Sequence, residues 1–275
     1  MLHLWGRSGM ADLVVDGVSV RFGGLSALDD VSFAVPAGSI VGIIGPNGAG
    51  KTTLFNVISG FVQPSAGTAT WGGKPFHPRP SKLVDLGIAR TLQAVGLFPG
   101  LTALENVMLG AARSRRAGFA SALFALPRSD RDERRLRDDA MAWLTRLDVA
   151  EAANRLPGTL PYPVQKRIAL ARALVSGPRL LMLDEPAGGL GAEDLDPLGE
   201  LIRSLPGADI PCSVLLVEHH MDLVMSVCNH VVVLDFGRVV AAGTPAQVQA
   251  DPVVTAAYLG TDVPAEFPPT IGLMP

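Results

Sequence analysis

The chain has 275 residues, of which 48% are hydrophobic and 18% charged, a composition that excludes a disordered or fibrous protein and allows a substantial core. Its formal net charge of −3 gives no general attraction to nucleic acid. The two cysteines, Cys212 and Cys228, lie in separate segments, which disfavours a disulfide framework or zinc site and indicates a reducing compartment. We expect neither a membrane span, which needs roughly 20 apolar residues, nor a signal peptide in residues 1–10.

Short β-branched runs open the patterned part of the chain at residues 13–15, 18–21 and 31–35. Glycine-containing turns separate them, so we predict an antiparallel β-layer. The continuous apolar run 40–44 follows and is typical of a strand buried on both faces. It marks the start of a parallel core.

A glycine-rich loop comes next, after which residues 52–59 predict a helix that ends at Gly60. Two further buried strands are predicted at residues 180–183 and 214–217, each followed by acidic residues. Strands that alternate with helices predict an α/β fold with a mostly parallel sheet.

Apolar residues recur at helical spacing between residues 136 and 147 and predict a surface-packed helix. This helix would belong to a helical subdomain at about residues 98–161. The basic residues of segment 113–116 predict a solvated loop, with contact to lipid head groups as the alternative. Residues 231–234 and 239–242 predict a closing hairpin.

The strongest local motif is G-x-x-x-x-G-K-[ST] at residues 45–52, between a predicted strand and a predicted helix. Its glycines let backbone N–H groups face phosphate oxygens. Lys51 would reach the β and γ phosphates of ATP, and the Thr52 hydroxyl would bind Mg²⁺. The predicted nucleotide-binding residues of this segment are Gly45, Pro46, Asn47, Gly48, Ala49, Gly50, Lys51, Thr52 and Thr53.

Two consecutive carboxylates follow the predicted strand 180–183, at the sheet end where ligands collect. We expect Asp184 to hold Mg²⁺ through water and Glu185 to polarise the water that attacks the γ-phosphate. The pair is a weak signal alone and a strong one beside the phosphate loop.

His219 follows the strand 214–217 and Glu218, and its imidazole would sense or stabilise the γ-phosphate. A metal site at His219 and His220 is the disfavoured alternative, because adjacent residues at a strand end are expected to diverge and because no Cys or acidic ligand set accompanies them.

With these motifs the sequence resembles the ATP-binding subunits of ABC transporters, especially the branched-chain amino acid uptake family, over roughly residues 13–260. The resemblance implies a P-loop NTPase (RecA-like) core within an ATPase domain at 11–260, followed by a C-terminal tail at 261–275. It implies that Phe22 stacks on adenine, a buried strand-end phenylalanine being the alternative. It also implies that Gln93 contacts Mg²⁺, takes part in catalysis and joins the nucleotide site to the helical subdomain.

Residues 98–107 and the ending 257–260 are also similar to that family. The resemblance implies a peripheral subunit on the cytoplasmic face of the membrane, with a second ATPase subunit and two transmembrane permease subunits. An extracytoplasmic solute-binding protein would be an indirect partner, and nucleic acid would not be one. Importers of amides, urea or other amino acids share this architecture.

The segment Leu160-Pro161-Tyr162-Pro163-Val164-Gln165 stands where the family has a signature of the type Leu-Ser-x-Gly-Gln. Pro161 lacks a hydroxyl, and Pro163 lacks an N–H and cannot adopt positive φ. We expect a helix at residues 166–174 after it. Gly191 is a milder departure, since the family has Asp or Asn there. Because both surfaces serve the partner's nucleotide, we predict a heterodimer with unequal sites.

Two other functions stay open at this point. A soluble ABC-type ATPase of DNA repair or the ribosome generally carries a coiled-coil insertion, a zinc insertion or a duplicated core, which this sequence lacks. A nucleotide-binding module that regulates without hydrolysis is suggested by the altered signature, and Glu185 and His219 argue against it.

Overall fold

The computed structural model describes residues 11–91, 95–111, 127–207 and 211–254. In these residues, strands form two sheets. The first is an antiparallel layer with strand order β2-β1-β4-β5, in which Leu13 pairs with Val35 on one side and Trp71 on the other. Its strands are β1 (Ala11–Phe22), β2 (Leu25–Pro36), β4 (Ala66–Trp71) and β5 (Lys74–Pro75).

The second sheet has the strand order β10-β9-β3-β8-β7-β6, and it is parallel except for the final hairpin. Every residue of β3, β7 and β8 is buried, as expected for strands covered on both faces. Its strands are β3 (Ile40–Ile44), β6 (Ile88–Arg90), β7 (Leu180–Asp184), β8 (Ser213–Val217), β9 (His230–Asp235) and β10 (Arg238–Gly243).

Helices connect and cover this second sheet. They are α1 (Lys51–Ile58), α2 (Ala103–Gly110), α3 (Pro127–Arg146), α4 (Tyr162–Leu174), α5 (Ala192–Ser204), α6 (Met221–Val227), α7 (Pro245–Gln249) and α8 (Pro252–Val254). Short 3₁₀ turns lie at Pro80–Lys82, Val84–Leu86, Ala150–Ala152 and Pro157–Thr159. Within the part of the chain that the structure describes, no helix combines the length and the apolar character needed to span a bilayer.

The central sheet separates two hydrophobic clusters, because successive side chains of a strand point to opposite faces. Leu180 and Met182 of β7 join the cluster of the antiparallel layer and α1. Leu181 and Leu183 of the same strand join the cluster of α2, α3, α4 and α5. The parallel sheet is therefore the shared wall between a β-rich side and a helical side.

The structure confirms the predicted strands of the parallel sheet and the closing hairpin, with β9 and β10 antiparallel across Asp235 and Arg238. The predicted turn between residues 15 and 18 is wrong, because β1 runs through it with only a register shift between Val15 and Val18. It also confirms the periodic helix, since Leu136, Ala140 and Leu144 are buried on one face of α3. The helical subdomain stays a prediction, because its side chains share a cluster with the sheet. The basic segment 113–116 and the tail 261–275 lie outside the described residues.

Candidate functional site

A tight loop, residues 45–50, joins β3 to α1. A Cβ atom placed on Gly45 would stand 2.1 Å from the carbonyl oxygen of Leu234. Gly50 has a φ of +102°, and its added Cβ would stand 2.7 Å from the carbonyl oxygen of Ala27. Only glycine fits such positions. The loop can therefore curl closely against β2 and β9, ahead of the N-terminus of α1, the type of helix end that favours an anion.

Lys51, the first residue of α1, is buried and folds back over this loop. Its Nζ donates hydrogen bonds to the carbonyl oxygens of Gly45, at 2.6 Å, and Pro46, at 2.9 Å. Burial lowers the pKa of Lys51, whereas the charges of Glu185 and Asp184 raise it. The structure thus brings the predicted phosphate-binding cation within electrostatic reach of both predicted carboxylates.

The other predicted loop residues differ in how open they are to a ligand. Asn47, Gly48 and Thr52 are exposed, Pro46, Gly50 and Thr53 are half-buried, and Ala49 is buried. The Thr52 hydroxyl therefore lies on the open side of the first turn of α1.

Asp184 ends β7 in a nearly buried position, where Arg90 forms an ion pair with it. The two atoms, Arg90 Nη2 and Asp184 Oδ2, are 3.0 Å apart. Arg90 Nη1 also donates to Asn56 Oδ1 and Ser59 Oγ, both at 2.9 Å. The guanidinium thereby fixes the carboxylate relative to α1.

Sequence reasoning missed Arg90. It ends the edge strand β6, directly after the buried Ile88 and Ala89. A charged residue at the end of a buried run was the available signal, and its partner Asp184 is too distant in sequence to be inferred from it.

Glu185, the next residue, has a φ of 49°, which places its backbone in the left-handed region. Its amide donates to the carbonyl oxygen of Val217 at 2.9 Å, and its own carbonyl accepts from the Gly188 amide at 3.1 Å. The chain turns sharply here, and the two neighbouring residues differ in exposure: Asp184 is buried and Glu185 is half-buried.

His219 follows β8 with a half-exposed side chain, and Glu218 before it is fully buried. The Glu218 carboxylate accepts hydrogen bonds from the amides of Ala187 at 2.6 Å, His219 at 3.0 Å and His220 at 3.2 Å. Sequence reasoning missed this residue, although an acidic residue directly after a buried strand was a usable signal. Glu218 fixes the backbone of both strand-end loops.

The expectation that His219 and His220 diverge without an acidic neighbour is wrong. Their ring centroids lie 4.5 Å apart, and possible ligand atoms of Glu218, His219 and His220 lie within 4.8 Å of one another. The cause is the turn that Glu218 imposes by accepting both histidine amides. Its carboxylate oxygens are already engaged by backbone N–H groups, which makes it a poor metal ligand.

Two further predicted residues are placed differently. Phe22 ends β1 with 53% of its surface exposed, so the alternative of a buried strand-end phenylalanine is wrong and its ring is free to meet a ligand. Gln93 lies outside the described residues, and its predicted roles stay predictions.

The segment 160–165 begins α4 earlier than expected. The helix starts at Tyr162 rather than Lys166, with Pro161 as its cap at a φ of −56°. Proline fits the first turn of a helix because its missing N–H would have no intrahelical partner there. The Gln165 side chain donates back to the carbonyl oxygen of Leu160 at 2.9 Å. The two prolines are therefore compatible with the fold.

Comparison with known proteins agrees with this geometry. A family model described as ABC transporter matches residues 28–188, and one described as branched-chain amino acid ATP-binding cassette transporter matches residues 238–264. The first match spans more than half of the sequence, from β2 to the turn after Glu185. The chain belongs to the ABC transporter family. It is an ATP-binding cassette with the ATPase fold of that family, as the resemblance implied.

Two relatives of the cassette match over almost their whole length. BraF of Pseudomonas aeruginosa, a high-affinity branched-chain amino acid transport ATP-binding protein, is 43% identical over 90% of this chain and 97% of BraF. LivG of Escherichia coli K12, which has the same description, is 39% identical over the same shares. A solved nucleotide-free cassette from an ABC transporter matches with a TM-score of 0.77 and 28% identity, over 90% of this chain and 99% of that one.

Proposed function

We propose that this cassette hydrolyses ATP to drive the import of branched-chain or other amino acids or related small amides. The observation that carries the proposal is that the buried Lys51 folds back over the phosphate loop through hydrogen bonds to Gly45 and Pro46, where the charges of Asp184 and Glu185 act on it. The choice of solute is supported by the relatives that carry amino acid transport in their names and by the match at residues 238–264.

The proposed chemistry divides charge binding from water activation. The loop amides and Lys51 bind the phosphates, and Glu185 orients the water whose attack on the γ-phosphorus breaks the bond to the bridging oxygen, giving ADP and phosphate. His219, half-exposed beside the same sheet edge, would contact the γ-phosphate. Phe22 would stack on adenine, and Gln93 would complete the site.

The donor set fits Mg²⁺. Thr52 offers an exposed hydroxyl and Asp184 a carboxylate whose Oδ2 is held by Arg90, and a hard divalent cation prefers such oxygen ligands. We therefore assign Thr52, Asp184 and Gln93 to Mg²⁺, which when bound would offset phosphate charge. The side chains of this protein would orient the phosphates and the attacking water.

We propose that the cassette forms a dimer with a second, different ATPase subunit. Each nucleotide would lie between the phosphate loop of one subunit and the segment 160–165 of the other. Pro161 and Pro163 weaken that segment here, while the residues that serve this chain's own nucleotide are intact. One site would thus turn over faster than the other.

The proposed assembly includes two transmembrane permease subunits, with the cassette on the cytoplasmic face. Residues 98–107, which include the exposed Phe98, would meet a permease. Closure of the ATPase dimer and its reopening after hydrolysis would move the permeases. A solute-binding protein on the other side would be an indirect partner, and the net charge of −3 supports no role for nucleic acid.

The test is ATP hydrolysis by the purified chain alone and mixed with its companion ATPase subunit, each with Glu185→Gln as control. We expect activity in the mixture that falls by about 100-fold with Glu185→Gln, while ATP binding persists. Equal hydrolysis with and without Glu185 would contradict the proposal. Site-specific nucleotide trapping that shows equal turnover at both sites would contradict the unequal heterodimer.

A further inference from the structure

The backbone of Glu185 adopts a conformation that L-amino acids disfavour. It is one of four non-glycine residues with positive φ in the described part of the chain, the others being Asp30, Asp148 and Phe236. In this region Cβ crowds the following carbonyl group. Such a conformation persists only when the surroundings over-determine it, and it is enriched at functional sites. The contacts that hold Glu185 are therefore of functional interest.

A lysine from another element provides two of those contacts. Lys166, in the first turns of α4, donates from Nζ to the carbonyl oxygens of Glu185 at 2.9 Å and Pro186 at 3.0 Å. The ammonium group also lies 5.5 Å from the centre of the Tyr162 ring. One side chain thus bridges the start of α4 and the turn after β7.

Burial has the larger effect on the pKa of this lysine, and nearby negative charges oppose it. Burial lowers the pKa of Lys166, and the nearby carboxylates of Glu218 and Glu185 oppose that effect. Because an ammonium group has three donors and no acceptor, it can hold two carbonyl oxygens at once. A neutral side chain of similar length could not replace these contacts.

The turn at residues 185–189 has further contacts, one with Glu218 and one with Tyr162. Glu218 accepts the Ala187 amide at 2.6 Å, and a Cβ on Gly189 would stand 2.9 Å from Cε1 of Tyr162. Residues 185–189 therefore lie between the end of β8 and the first turn of α4. A displacement of the first turn of α4 would be transmitted to Glu185 through both Tyr162 and Lys166.

We propose that Lys166 is a positioning residue for hydrolysis, which holds Glu185 in its left-handed conformation and ties it to the start of α4. The inference rests on the proposed function, in which Glu185 orients the attacking water and the start of α4 meets the partner's nucleotide. Lys166 then makes the geometry of this chain's own catalytic carboxylate depend on what is bound at the other site of the dimer.

The test uses the complex with the companion ATPase subunit and the variants Lys166→Met and Lys166→Arg. Lys74→Met, which removes an exposed lysine of β5, is the matched control. We expect Lys166→Met to lower kcat by about tenfold while the KM for ATP stays within about twofold, and Lys74→Met to match the wild type. Lys166→Arg, which keeps a cationic donor, should recover part of kcat. A wild-type kcat in Lys166→Met, or a loss confined to KM, would overturn the proposal.

Chemical rescue tests whether kcat depends on the ammonium group of Lys166 or only on the packing of its side chain. Burial raises the pKa of both native thiols, Cys212 and Cys228, to about 12, so the thiol of a Lys166→Cys variant should be alkylated first. Treatment of this variant with 2-bromoethylamine before assembly restores a lysine-like ammonium group, whereas bromoethane adds an ethyl group that has no hydrogen-bond donor. We expect kcat to recover only with the amine. Equal recovery with both reagents, or recovery with neither, would count against Lys166.

The Glu185→Gln control distinguishes the two proposals. If the wild-type complex and Glu185→Gln hydrolyse ATP equally, the proposed function itself fails. If hydrolysis depends on Glu185 but Lys166→Met retains the wild-type kcat, only the role of Lys166 fails.

Discussion

The phosphate loop, 45–52, and the segment 160–165 would both face nucleotide in a dimer, yet they are built differently. The loop is fixed by glycine positions that tolerate no Cβ and by a buried lysine. The segment is a helix start at which two prolines fit without disturbing the fold. The fold therefore constrains the residues of the phosphate loop more closely than those of the segment 160–165.

The largest expected effect is the loss of stability when the buried Arg90–Asp184 ion pair is broken. Arg90→Met should lower the free energy of unfolding by about 3–5 kcal/mol, because it leaves the Asp184 carboxylate uncompensated in the interior. Urea denaturation measures this change. The double variant Arg90→Met with Asp184→Asn should regain part of the loss, and a double variant no more stable than Arg90→Met would show that the pair does not act as a unit.

A second effect tests the phosphate loop directly. Lys51→Ala should weaken ATP binding by about 100-fold, because it removes a charge-assisted contact to phosphate. Equilibrium binding of a fluorescent ATP analogue measures this affinity. The exposed Lys82→Ala is a matched control and should bind as the wild type does. A Lys51→Ala variant with unchanged affinity would remove the basis of the comparison.

Substitutions in the segment 160–165 should raise activity, whereas the preceding substitutions lower stability or affinity. The double variant Pro161→Ser with Pro163→Gly restores a hydroxyl and an N–H donor, so it should raise turnover at the partner's site by about tenfold. Single-turnover hydrolysis by the heterodimer, with this chain's own site silenced by Glu185→Gln, isolates that site. Unchanged turnover would mean that the prolines do not impair the segment.

The smallest effect concerns the exposed ring at the end of β1. Phe22→Ala should raise the KM for ATP by about fivefold through loss of stacking on adenine, and Phe22→Trp should retain the wild-type value. Leu25→Ala, at the facing exposed position of the hairpin, is the control. If GTP and ATP respond differently to Phe22→Ala, the ring also selects the base.

Local motifs account for what the sequence could predict. The phosphate loop and the Asp184–Glu185 pair were predictable because spacing along a strand, a loop and a helix places them with little help from the rest of the chain. The charges of both carboxylates act on Lys51, while the roles predicted for these residues stay predictions. The strands were predictable for the same reason, since a continuous apolar run marks a strand buried on both faces.

The contacts that complete the site depend on packing between distant segments. Arg90 meets Asp184, and Lys166 meets the carbonyl group of Glu185, across large sequence separations. The closeness of His219 to His220 follows from Glu218, which accepts both of their amides and also accepts the Ala187 amide of the turn after Glu185. No local pattern encodes such geometry, so these features emerged only from the folded chain.

The alternation of side chains along β7 also has an evolutionary consequence. Because Leu180 and Met182 serve one cluster and Leu181 and Leu183 the other, a substitution at one of these positions changes the packing on one face of the sheet only. A cassette built in this way can change residues of its helical cluster that do not touch the turn after Glu185, while the opposite face of β7 keeps its neighbours.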